Sequence, residues 1–200
     1  MDFFLKDFSD PKERKGRVVH FFNNQVIPFT SQLESSTIDL EIGCGHGHWI
    51  NAYSQENKNT TTIGIDLISK RLEKAKAKKV RFDNQNLFFM KADAVEFLTF
   101  KPSNILFSNI FIFFPDPWPK NKHRKRRLIQ SSFLKLLKSH THVNSKIFFR
   151  TDHLDYFEWT KSHINLSNDW NLTDFHCPLE HESYFQGLLP SFSSLSASRL

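Results

Sequence analysis

Cysteine is almost absent: Cys44 and Cys177 are the two in a chain of 200 residues. That count excludes a disulfide-stapled scaffold and suits a reducing compartment. Long apolar runs are missing as well. The stretch 105–114 is interrupted by Ser108 and Asn109 and is too short to span a bilayer. Charge appears by Asp2, Lys6 and Asp7, too early for a secretory signal. A soluble, cytoplasmic protein that does not engage membranes is the expectation. No internal repeat occurs, and neither a Ser-His-Asp constellation nor a G-x-S-x-G elbow is present, so acyl transfer has no support. Low complexity is confined to the serine-rich end, and residues 190–200 are expected to form a loosely ordered tail.

What is present fits one domain spanning 1–200, large enough to bury a core without staples. The formal charge of +6 and the pI near 9.3 favour an acidic partner. Residues 1–30 read as a basic N-terminal helical extension, with Lys12, Glu13, Arg14, Lys15 and Arg17 ahead of Val18, Val19, Phe21, Phe22 and Val26, and a stop at Pro28. From 37 onward apolar strands alternate with amphipathic helices. Strands are predicted at 38–42, 61–65, 87–90, 105–114, 146–150 and 170–175, with helices at 48–57, 69–82, 93–98, 125–138 and 154–164. Such alternation defines an α/β, Rossmann-like fold, a mostly parallel sheet with helices on both faces.

The densest signal lies at 113–128, Phe-Phe-Pro-Asp-Pro-Trp-Pro-Lys-Asn-Lys-His-Arg-Lys-Arg-Arg-Leu. Pro115, Pro117 and Pro119 restrict their own φ and disfavour αR before them, which predicts a stiff, extended turn presenting Asp116 and Trp118. Lys122, Arg124, Lys125, Arg126 and Arg127 then place five cations in six positions. Cations so crowded repel one another unless an anion lies close. A rigid carboxylate beside a cationic strip, at the carboxyl end of a strand, suggests chemistry on a polyanion.

Earlier strands end in carboxylates too. Asp39-Leu40-Glu41-Ile42 runs into Gly43-Cys44-Gly45-His46-Gly47. A dinucleotide fingerprint would want its third glycine at 48, which is His48, so the spacing is G-x-G-x-G with Glu41 two residues before it. That arrangement suits S-adenosylmethionine (SAM), whose ammonium, sulfonium and ribose call for carboxylates rather than for a pyrophosphate site. Asp66 follows the second strand and can accept from ribose hydroxyls; Asp93 follows the third, at the adenine end, although capping of the next helix would also explain it. Cys44, His46 and His48 alternate on a tight turn and diverge, so no metal site is expected.

On these residues the chain resembles the bacterial tRNA (guanine-N7)-methyltransferases of the TrmB type. The resemblance is carried by 113–128, the glycine turn, Ile63-Gly64-Ile65-Asp66, Asp93-Ala94 and Arg150-Thr151-Asp152, covering roughly 38–160. It implies methyl transfer from SAM to N7 of guanine 46 in the tRNA variable loop. By the same resemblance Glu41, Gly43, Gly45, Asp66 and Asp93 hold the cofactor, Asp116 serves both cofactor and catalysis, Lys120 and Asp152 contact substrate, and Lys122, His123, Arg124, Lys125, Arg126 and Arg127 contact RNA. Three departures stand out. The family commonly has Glu at the place of Asp66 and Arg at that of Lys122, and it closes with a substrate motif, Thr-x-Phe/Tyr-Glu, whose place Ser183-Tyr184-Phe185-Gln186 takes here as expected substrate contacts, lacking the carboxylate. The residues alone also admit a SAM enzyme with another acceptor, or a non-catalytic RNA-binding protein, and they leave monomer against homodimer open.

Overall fold

A computed structural model describes residues 10–33, 37–180 and 191–200. Asp10 caps the first helix, α1 (Pro11–Phe21), by accepting from Lys12 N–H at 2.9 Å, and Pro11 sits where no N–H is needed. The helix does not stop at Pro28 as expected. It passes through a π-helical turn, Phe22–Val26, into α2 (Ile27–Thr30), where Pro28 falls in the first turn and no donor is required of it.

Strands β1 (Thr37–Ile42), β2 (Thr60–Asp66), β3 (Leu87–Lys91), β4 (Phe107–Phe113) and β5 (Thr141–Thr151) pair in parallel. Helices α3 (His48–Glu56), α4 (Ser69–Arg81), α5 (Ala94–Phe100), α6 (Ser131–Lys138) and α7 (Leu154–Asn165) alternate with them. Two antiparallel strands, β6 (Trp170–Thr173) and β7 (Ser193–Arg199), complete the order β3-β2-β1-β4-β5-β7-β6. The chain reverses its direction of travel across the sheet between β1 and β4, which opens a crevice at their carboxyl ends.

Both faces of the sheet are covered. Leu40, Ile42, Ile110, Ile112, Ile147 and Phe149 point into the larger core with α1, α5, α6 and α7. Phe111, Phe113 and Phe148 join Trp49, Tyr53 and Leu72 on the other face, where Trp49 and Tyr53 stack at 4.8 Å. Each fully buried side chain of this kind contributes about 1.5–3 kcal/mol.

Two expectations are corrected here. The end of the chain is no loose tail: Ser193–Arg199 is β7, inserted between β5 and β6, with Ala197 fully buried and Ser196 Oγ donating to Thr173 O at 2.8 Å. Its backbone ladder, rather than its small side chains, holds it. The helix expected over 125–138 is also broken, into a 3-10 turn, Asn121–Arg126, and α6, because Arg127 leaves helical geometry (ψ 137°). Since β7 joins β5 to β6, deleting residues 193–200 is expected to abolish cooperative unfolding and soluble expression, checked by a thermal melt and fractionation; a tail without structure would leave both unchanged.

Candidate active site

Gly43, Gly45 and Gly47 have φ of 78°, 53° and 67°, the left-handed region that side chains rarely adopt. At Gly47 a Cβ would also lie 2.6 Å from that of Ala75. The turn is tied to β2, for Gly43 N–H and Cys44 N–H both donate to Ile65 O. Asp66 completes the tie: its Oδ2 accepts from Gly45 N–H at 2.9 Å and its Oδ1 from Ile68 N–H at 2.7 Å. The carboxylate therefore locks the two loops together at the carboxyl end of β2.

Glu41 is buried, 3% exposed, and its Oε2 has no hydrogen-bond partner among the described residues. Burial, with Asp66 adding to it, pushes its carboxyl up to about 8. An orphaned buried acceptor beside a second carboxylate is a site that wants a cationic donor. The ammonium of SAM matches that requirement, and open backbone at Gly43 and Gly45, where an added Cβ would touch nothing within 4 Å, leaves room for a ligand. Asp93 sits at the end of β3 and does cap α5, accepting from Val95 N–H and Glu96 N–H. Capping and ligand binding are compatible for it, since only Oδ1 is used.

The loop after β4 departs from the extended turn expected. Phe114 and Trp118 are both left-handed, with φ of 51° and 44°. Non-glycine residues hold such conformations only when their surroundings impose them. Two buried arginines do so. Arg150, on β5, receives Phe114 N–H at its carbonyl (2.8 Å), and its guanidinium lies 4.9 Å from the Phe113 ring. Arg127, 1% exposed, donates from Nε to Pro117 O at 2.8 Å, pairs with Asp155, and lies over the rings of Tyr156 and Trp159. Asp116, between these anchors, is exposed and has no hydrogen-bond partner among the described residues.

Arg127 is thus a structural residue, and its expected contact with RNA is withdrawn: a guanidinium enclosed by two rings and a carboxylate has no face for phosphate. Arg124 shares Asp155 at 2.8 Å but is 37% exposed. Lys120, Lys122, Lys125 and Arg126 remain exposed, with Arg126 5.0 Å above the Trp118 indole and His123 edge-on to it at 5.9 Å. Asp152 is exposed at the end of β5. Ser183, Tyr184, Phe185 and Gln186 lie outside the described residues. Glu41, Asp66, Asp93, Asp116 and Asp152 accordingly occupy one edge, at the ends of β1 to β5. His46 and His48 are ring neighbours at 6.3 Å. Among the described residues no group of three His, Cys, Asp or Glu could hold a metal, and no helix is long and apolar enough to cross a membrane.

Sequence reasoning missed Asp155 and the inward turn of Arg127. Nothing in the run of cations distinguishes the fourth arginine or lysine from the fifth. Glu180, which takes Arg150 Nη2 at 2.8 Å on both oxygens, was equally silent.

A sheet of this order with a carboxylate-lined glycine turn is the Rossmann-like fold of SAM-dependent methyltransferases. An antibiotic-related methyltransferase superposes with a TM-score of 0.59 at 21% identity, covering 88% of this chain and 92% of the other. A precorrin-6y C5,15-methyltransferase from Geobacter metallireducens gives 0.57 at 13%, covering 86% and 85%. The family model described as "Putative methyltransferase" matches residues 35–183. A tRNA (guanine-N(7)-)-methyltransferase of Lachnoclostridium phytofermentans is 34% identical over 180 residues, 89% of this chain and 78% of the relative. One from Prochlorococcus marinus is 33% identical over 146 residues, 70% of each. The chain belongs to the tRNA (guanine-N7)-methyltransferase family.

Two outcomes follow for the site. Because the folded-state pKa of Glu41 is raised from 4.5 to about 8, the ligand-free protein binds an extra proton relative to the unfolded chain, so its stability falls as pH rises through that window. Glu41→Gln is expected to flatten the decline between pH 5 and 8 in urea midpoints while weakening SAM binding by about tenfold or more; a parallel pH profile in the variant would remove Glu41 as its source. Arg127→Ala, which empties a buried slot and frees the Pro117 carbonyl, is expected to destabilise by at least about 2 kcal/mol in denaturant melts, whereas Arg126→Gln stays within about 0.5 kcal/mol.

Proposed function

We propose that this protein transfers the methyl group of SAM to N7 of a guanine in tRNA, at position 46 in the variable loop, in the cytoplasm. The observation that carries the reading is the placement of Asp116. It is an exposed carboxylate, without a hydrogen-bond partner among the described residues, on a loop anchored by two buried arginines, between a cation-seeking crevice and a cationic turn. Family membership supports tRNA as the partner, and guanine N7 is the atom named for the relatives.

Guanine N7 offers a lone pair and carries no proton, so no residue has to act as a base on it. The bound cofactor would supply a methyl group on a sulfonium. Glu41 and Asp66 would hold its ammonium and ribose, and Asp93 its adenine end. Alignment and charge are what the remaining residues provide. Asp116 would lie beside the path of positive charge from sulfonium to purine, and a preorganised carboxylate there would favour that passage. Asp116 or Asp152 can also accept from guanine N1–H and the exocyclic amine while leaving N7 open. Lys120, Lys122, Lys125 and Arg126 would meet phosphates, with the Trp118 indole held under Arg126 and beside His123.

The direct test incubates the protein with tRNA and SAM and maps N7-methylguanosine by cleavage at the modified base. Asp116→Asn, which keeps the loop's shape, is expected to lower single-turnover methylation by roughly a hundredfold. Near-normal turnover in that variant would confine Asp116 to binding or geometry, and absence of the modification with wild-type protein would overturn the reading.

A further inference from the structure

Helix α4 reads Ser-Lys-Arg-Leu-Glu-Lys-Ala-Lys-Ala-Lys-Lys-Val-Arg, seven cations in 13 residues against the single acid Glu73. Its own structure accounts for some of them. Lys78 Nζ donates to His46 O at 3.0 Å, Lys79 lies 4.8 Å over the Phe88 ring, and Lys78, Lys79 and Arg81 fall in the last turn, where the helix dipole favours positive charge.

The rest run against helix stability. Lys70 and Arg71 occupy the first turn, which contains no acid and where the dipole opposes cations. Lys70, Lys74 and Lys78 follow at four-residue spacing, so like charges face one another along the helix surface. Glu73 stands three residues from both Lys70 and Lys76 and is the acid available to them on α4. Lys70, Lys74 and Lys76 are exposed, and none makes an ion pair among the described residues. Burial, with Lys74, Lys78 and Arg71 adding to it and Asp66 opposing, holds the imidazole of His46 on the glycine turn below the usual range.

The cationic character continues across the flank of the helix. Lys76 borders a cleft of about 570 Å3 lined also by Arg17 and His20 of α1 and by Lys91 of β3; among the described residues Glu13 is the one carboxylate in that lining. The amino end of α4 lies beside Asp66, at the edge that carries the site. The sheet order puts β2 two strands from β4, about 10 Å at ordinary strand spacing. Cations therefore flank the carboxylate crevice on both sides, those of the 3-10 turn after β4 and those of α4. A small anion could not span them. An extended phosphate chain can.

We propose that the exposed face of α4, together with the α1 cleft beside it, is a second phosphate-binding surface that grips the body of the tRNA away from the guanine that reacts. This inference rests on the proposed tRNA methyltransferase activity. It accounts for the two cations set against the dipole in the first turn of α4, and for a basic face that the site residues do not use.

The test is Lys70→Gln/Lys74→Gln/Lys76→Gln in the full chain, since all three side chains are exposed and none belongs to the methyl-transfer site. Three lost phosphate contacts at roughly 0.7–0.9 each are expected to reduce the slope of log K against log salt for full-length tRNA by about two. KM for tRNA is expected to rise about tenfold or more at physiological salt, with kcat at saturating tRNA and SAM affinity by calorimetry unchanged. A short RNA hairpin bearing only the reactive loop should be methylated equally by variant and wild type, and the variant should melt at a higher temperature in low salt. A wild-type slope and KM with full-length tRNA would overturn the inference, as would an equal loss on the hairpin, which would put α4 at the reactive loop. Wild-type protein that neither binds nor methylates tRNA would instead overturn the function and this inference with it.

Discussion

Parallel pairing of β1 to β5 is the constraint on which the site depends. Parallel strands must be joined by crossovers, so every strand of the set ends at the same edge and each following loop starts there. Carboxylates separated by about a hundred residues in sequence, from Glu41 to Asp152, are thereby lined up with no direct bond among them. The reversal of strand order between β1 and β4 adds the crevice in which a ligand can lie between Glu41 and the Asp116 loop.

Against that frame the chain sets charges in two ways. Two carboxylates are drawn inward: Glu41 is buried, its Oε2 without a hydrogen-bond partner among the described residues, and Asp66 accepts from two backbone N–H groups. An arrangement like this is unfavourable until a cation arrives, and part of the affinity for that cation comes from relieving it. Cations are sorted instead. Arg127 and Arg150 are enclosed by aromatic rings and carboxylates and hold the loop around Asp116 in left-handed conformations, whereas Lys120, Lys122, Lys125 and Arg126 are left in solvent. Arg126 and Arg127, adjacent and chemically identical, are thus placed differently, one exposed over the Trp118 indole and one enclosed as scaffold.

The tertiary environment explains why the readings from sequence diverge where they do. Strand and helix periodicity placed the five parallel strands and most helices, because apolar alternation and 3.6-residue spacing are local properties of the chain. The glycine turn and its carboxylates were legible for the same reason: G-x-G-x-G needs positive φ at each glycine, and the structure supplies it. The serine-rich end was not, because a strand stabilised by its neighbours' backbones needs no distinctive side chains, and its partners β5 and β6 are remote in sequence. Pro28 misled because its effect depends on where it falls in a turn, which the π-helical segment shifts.

What the sequence by itself determined is the set of chemical groups and their order: the glycine turn, a carboxylate after each early strand, and a proline-bounded aspartate followed by cations. Those follow from residue type and short spacing. Only the tertiary structure decided which cations meet solvent, since Arg127 turns inward to Asp155, Tyr156 and Trp159 while Arg126 beside it does not. It also decided that Glu41 Oε2 has no hydrogen-bond partner among the described residues and that Lys70, Lys74 and Lys76 of α4 are exposed. Burial and pairing belong to contacts between distant segments, and a linear pattern carries no record of them.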